Sequence, residues 1–176
     1  MALSTNLAEL ITQQAQAQGV PPDVALAVAQ QESGITQWRQ DGSVVTSAKG
    51  ALGVFQLMPA TAAQLGVDPT DVYGNIQGGI SYLSQLYQKY GDWNTALAAY
   101  NFGPGNVDAG KSLPSETVNY VSSILGKIGT GPASGVAVLP GITAGDLANE
   151  VTANPGVIAV GVVLGVVLFA WWAWAN

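Results

Sequence analysis

From Gly156 to Ala175 the chain runs GVIAVGVVLGVVLFAWWAWA, twenty residues without a charge. A helix of that length, at about 1.5 Å per residue, spans roughly the 30 Å of a bilayer core. Trp171, Trp172 and Trp174 gather at one end, where an interfacial aromatic belt belongs, and Asn154-Pro155 supplies a cap and a first-turn proline. The run is therefore read as a transmembrane helix over 155–176, with the lipid bilayer as its partner. Gly161 and Gly165 form a GxxxG pair that lets two such helices approach closely, although small residues are common in membrane helices anyway.

This run divides the chain. Residues 126–154, including GKIGTGPASGVAVLPGITAG, are rich in Gly and Pro without a period and read as a linker, with a short helical turn near 146–153. Residues 1–125 then form the folded domain. The overall 48% hydrophobic content and mean hydropathy of +0.29 come largely from the end of the chain.

Within 1–125 the pattern is mainly helical. Asn6 caps a helix over residues 6–18 with Leu7, Leu10 and Ile11 as its apolar stripe, ending at Gly19. Pro21-Pro22-Asp23 opens a second helix, VALAVAQQES, apolar on every side in its middle and stopped by Gly34; it reads as a buried central helix. Between Gln37 and Gly53 the helical period is lost. Asp41-Gly42 has turn chemistry and a short β-branched run follows, which predicts a small hairpin or irregular lobe. Pro59 starts ATAAQL. About Asn75–Tyr90 makes a longer helix with Ile76, Ile80, Leu83 and Tyr87 on one face. Asp92 caps WNTALAAYN, broken by Gly103-Pro104-Gly105, and a last helix begins near Pro114 with Val118, Val121, Ile124 and Leu125. The fold class is mainly α (α+β), with one small β element.

Composition removes most catalytic chemistries. The chain has no Cys and no His, so neither a Ser–His–Asp nor a Cys–His arrangement can exist, and a zinc site would need carboxylates alone. Acid/base work falls to Asp, Glu, Tyr or Lys. The net charge is -6 and the five basic residues stand apart, so nucleic acid binding is not indicated. MALSTNLAEL lacks the positive start and apolar core of a secretory signal.

Glu32 stands at the carboxyl end of the apolar second helix. Burial and the negative helix end both raise a carboxyl pKa, and a carboxylic acid protonated near neutral pH can protonate a glycosidic oxygen. Position alone leaves a simpler reading ahead, a helix-terminal Glu that reaches solvent.

The surrounding blocks reverse that order. VALAVAQQESG resembles the glutamate motif of the Slt-type lytic transglycosylases. SAKGALGVFQLMPATA is similar to that family's second block, NIQGGISYLSQLYQKYGDWNTALAAYNFGPGNV to its third with the Ala-Tyr-Asn-x-Gly-Pro-Gly core, and LPSETVNYVSSIL to its terminal block. The four blocks fall in the right order over about Pro21 to Leu125. The resemblance implies a goose-lysozyme-like domain with a glycan groove and a small β-hairpin lobe. It implies Glu32 as catalytic acid/base, Ser33 as an aid to substrate placement, and Gln56 lining the groove. It implies that Gly53 lets the backbone approach the sugar, that Tyr100 hydrogen-bonds the catalytic carboxyl, and that Asn101 contacts the glycan. Val54-Phe55 stands where Leu-Met is usual, and Gln37–Thr46 departs from the family pattern.

The implied reaction cleaves peptidoglycan between N-acetylmuramic acid and N-acetylglucosamine with one carboxylate, no metal and no cofactor. Asp41 is the only other acid between Ser33 and Val67. Facing Glu32, it would activate water and make a muramidase; its turn position already explains it. Asp68, Asp71, Asp92 and Glu116 read as caps and solvated faces. A degenerate sugar binder or a structural membrane protein is the non-enzymatic alternative, against which the retained Glu32, Gln56 and Tyr100-Asn101 argue. A carboxyl-terminal anchor without a signal suggests a virion membrane, as in the transglycosylases of membrane-containing bacteriophages. A bacterial envelope enzyme or a conjugation-type secretion component competes with that setting.

Overall fold

The computed structural model describes residues 6–128. The linker, the apolar run at 155–176 and the Gly161/Gly165 pair lie outside the described residues. Among the described residues no helix is long and apolar enough to cross a membrane.

Seven helices account for most of the domain: α1 Leu7–Ala17, α2 Pro22–Ser33, α3 Pro59–Leu65, α4 Val72–Tyr90, α5 Trp93–Phe102, α6 Pro104–Asp108 and α7 Ser115–Lys127. Their ends follow local chemistry. Asn6, Asp71 and Asp92 each accept a backbone N–H of the first turn, from Ala8, Gly74 and Thr95 respectively. Asp71 explains why α4 starts three residues before the expected Asn75. Pro22, Pro59 and Pro104 occupy first-turn positions where a missing N–H costs nothing.

The core lies between α1, α2, α4, α5 and α7. Its largest enclosed side chains include Ile11, Phe55, Leu57, Ile76, Ile80, Leu83, Leu97 and Ile124; each contributes about 1.5–3 kcal/mol by leaving water. α2 buries Val24, Ala25, Ala27, Val28 and Ala29. It shares the central position with α5, which buries four successive residues, Ala96 to Ala99, and packs on α4, α6 and α7. On α4 the buried stripe is Ile76, Ile80, Leu83 and Leu86, whereas Tyr87, expected on that face, is 40% exposed. Tyr87 stacks instead on Trp93, with ring centroids 4.4 Å apart. That contact covers the ring at the surface, so the core has no need of it.

The lobe differs from the expected hairpin. Among the described residues the stretch after α2 forms no extended strand, only three isolated antiparallel bridges: Trp38 with Val44, Thr46 with Leu52, and Leu52 with Leu57. The reason lies in its turns. Asp41 folds back on Ser43, Gly42 and Gly50 are left-handed, and Ser47 closes on Ala51, so no two segments run side by side for long. The last bridge closes the loop Leu52–Leu57, which docks on α4. Phe55 sits over Gly79, where a Cβ would strike the ring.

Candidate active site

α2 ends in the sequence Glu32-Ser33-Gly34. Gly34 takes φ 65° and stops the helix, which leaves Glu32 in the last turn and turned toward α7. Tyr120, buried on α7, donates its hydroxyl hydrogen to Glu32 Oε1 at 2.6 Å. Burial pushes the Glu32 carboxyl up to about 7, and the Tyr120 hydrogen bond pulls it partly back. With Oε1 engaged as an acceptor, the acid proton belongs on Oε2, which accepts no hydrogen bond among the described residues.

The loop Leu52–Leu57 is closed by reciprocal backbone bonds between its ends and is tied to the helices by side chains. Gln37 Oε1 accepts the Val54 N–H and Asn75 Oδ1 the Phe55 N–H, both at 2.9 Å. Ser33 donates to the Val54 carbonyl at 2.8 Å, and Tyr100 to the Phe55 carbonyl at 2.7 Å. Two neighbours of the acid thus grip the loop backbone. Tyr100 does not hydrogen-bond the Glu32 carboxyl, contrary to the sequence expectation; its proton is committed to Phe55, and Tyr120 takes the place beside the acid. The negative charge of Glu32 still reaches Tyr100, whose hydroxyl is held well above its usual range by burial and by that charge.

Gln56 and Gly53 sit in the same loop. Gln56 adopts φ 47°, left-handed for a residue with a Cβ, and its amide closes on the Gly53 carbonyl at 2.8 Å. Asn101, exposed at the end of α5, accepts from the buried Thr117 at 2.8 Å through its side-chain oxygen. Asp41 is exposed and spent on its own turn. Ser43 bonds it through hydroxyl and N–H, holding its carboxyl below the usual range.

The SLT transglycosylase domain pattern matches residues 9–119. The chain belongs to that family. A transglycosylase of Enterobacteria phage PRD1 is 39% identical over 131 residues, covering 69% of this chain and 46% of that protein. The soluble lytic murein transglycosylase of Escherichia coli K12 is 36% identical over 137 residues, covering 60% of this chain and 20% of its own length. The crystal structure of the 70 kDa soluble lytic transglycosylase from Escherichia coli superposes with TM-score 0.56 at 33% identity, over 66% of this chain and 22% of that one. The chain thus spans under half the length of these curated relatives. The mainly helical fold is the one these transglycosylases have.

In this SLT domain three residues escaped the sequence reading. Tyr120 lies on the buried stripe of α7 with Thr117, Val121 and Ile124, where a tyrosine reads as core; only its hydroxyl hinted at a partner. Gln37 and Asn75 are buried amides. Asn75 beside the apolar Ile76 was the stronger signal, since a buried Asn needs partners. Replacing Tyr120 by Phe is predicted to lower turnover about tenfold, the worth of one hydrogen bond to a charged group. It also moves the alkaline limb of the pH–rate profile upward, because the lost bond favoured the ionised carboxyl. A pH–rate profile of the variant checks this; an unmoved or lowered limb would contradict the Tyr120–Glu32 coupling.

Proposed function

We propose that this chain is a peptidoglycan lytic transglycosylase that cuts the bond between N-acetylmuramic acid and N-acetylglucosamine with Glu32 as its sole acid/base. The observation that carries the reading is a single partly buried carboxyl at about 7, with Oε1 tied to Tyr120 and Oε2 left for the substrate. Membership of the SLT family and the likeness to named lytic transglycosylases support it.

Glu32 gives its Oε2 proton to the glycosidic oxygen as the bond to C1 of the muramoyl sugar breaks. The oxocarbenium-like centre is assisted by the sugar's own N-acetyl group. The Glu32 carboxylate then takes the proton of the C6 hydroxyl while O6 bonds to C1, which closes a 1,6-anhydro ring and restores the acid. An internal hydroxyl has a large effective-concentration advantage over water, so no second carboxylate is required. Gln56 and Asn101 reach the glycan from the loop and from α5, Gly53 admits the sugar close to the backbone, and Ser33 and Tyr100 keep the loop facing it. The muramidase reading needs Asp41 free to activate water, and its bonds to Ser43 oppose that. The apolar run at 155–176 anchors the domain to a membrane. The chain's similarity to a phage transglycosylase favours a virion membrane and local wall opening during genome entry.

The test is product chemistry. Full-length chain in detergent, given purified peptidoglycan, releases muropeptides that are one water lighter than lysozyme products by mass spectrometry. Reducing ends in place of anhydro ends would make it a hydrolase, and an intact glycan would favour a binding role.

A further inference from the structure

Gln37 lies in the stretch that departs from the family blocks, yet its side chain is only 1% exposed. Its Oε1 accepts from Val54 N–H at 2.9 Å, and its Nε2 donates to the carbonyls of Pro69 and Thr70, each at 3.2 Å. One amide therefore joins the lobe, the site loop and the turn that leads into α4. A buried amide with every polar atom bonded fixes geometry in a way an apolar side chain cannot.

What it fixes is a strained turn. Gly53 stands at φ 72° with no room for a Cβ, which would fall on the amides of Gln37 and Asn75. Three residues later Gln56 holds φ 47°. A left-handed residue with a Cβ costs about 1–2 kcal/mol, and it persists only where its surroundings over-determine it. The peptide unit gripped by Gln37 is Gly53–Val54, and its carbonyl, Gly53 O, accepts both the Gln56 N–H at 3.2 Å and the Gln56 side-chain amide at 2.8 Å. A rotation of that one peptide would break both bonds and re-aim Gln56.

We infer that Gln37 is a positioning residue for glycan cleavage, its amide setting the Gly53–Val54 peptide so that the turn presents Gln56 to the substrate. The inference rests on the transglycosylase reading above. It makes the lobe part of the working site, through a residue that touches no substrate.

A double-mutant cycle tests it on full-length chain in detergent: wild type, Gln37→Met, Gln56→Ala and both, with anhydro-product release and melting temperature measured for each. Met keeps the volume and loses all three hydrogen bonds. Gln37→Met is expected to lower kcat on the order of tenfold well below its melting temperature, since small misplacements near reacting atoms cost that much or more. In the Gln56→Ala background the same change is expected to cost less than twofold, because the two act through one turn. Equal losses in both backgrounds, or a loss seen only in melting temperature, would overturn the inference. If Gln37→Met does not fold, Gln37→Glu, which keeps the acceptor for Val54 N–H and loses the two donor bonds, is expected to stay close to the wild-type kcat, and a loss as large as tenfold in that variant would overturn the inference. Absence of anhydro product from the wild type would overturn the transglycosylase reading itself, a result separate from an additive cycle.

Discussion

Glu32→Gln is expected to cut anhydro-product release about a thousandfold, because the proposed mechanism uses that one group as both acid and base. Gln keeps an oxygen for the Tyr120 hydroxyl, so the geometry survives while the proton is lost. Mass-spectrometric product counts check this; a loss under tenfold would mean another group supplies the proton. The same substitution should raise stability above neutral pH. In the unfolded chain the carboxyl titrates near 4.5, in the folded chain at about 7. Between those values the folded state binds a proton that the unfolded state has released. Stability is therefore full below pH 4.5 and falls as pH rises to 7, by on the order of 3 kcal/mol. Glu32→Gln removes that loss. It should melt about 10 °C above wild type at pH 8 and together with it at pH 4.

The second large effect is on the loop. Gly53→Ala should destabilise the domain by about 3 kcal/mol or more, by combining a left-handed alanine with displacement of the two amides that satisfy Val54 and Phe55 N–H. A paired control separates the two causes. Gly66 has φ 69°, close to the 72° of Gly53, but a Cβ there meets nothing within 4 Å. Gly66→Ala should therefore cost only the conformational part, about 1 kcal/mol. Denaturant midpoints of the two variants measure the difference. Equal midpoints would show that the amides yield freely.

The helices were legible because their signals are local. Asn6, Asp92 and Pro59 announce starts, and Gly34, Gly66 and Gly91 announce ends, each within a few residues of the atoms they satisfy. Position alone left Glu32 a solvent-reaching residue and the family blocks singled it out; the structure shows its carboxyl largely buried against Tyr120. Tyr120 was not legible, because it meets Glu32 across 88 residues of sequence and its own neighbourhood is an ordinary amphipathic stripe. The lobe, read as a small hairpin or an irregular element, is the irregular one of the two. Its tight turns at Asp41–Ser43 and Ser47–Ala51 keep any two segments from pairing at length, and only the site loop that follows is bonded to distant side chains. Tyr100 shows the same limit: the motif located it, but its partner, Phe55, depends on how the loop docks.

The loop's dependence on distant side chains also orders events in time. Ser33, Gln37, Asn75 and Tyr100 reach it from 17 to 45 residues away. A chain with its helices formed but not yet assembled has no such loop, and its Glu32, still in water, is ionised at neutral pH. Such a chain cannot donate the first proton. On the proposed mechanism, acid catalysis therefore waits until these last contacts close.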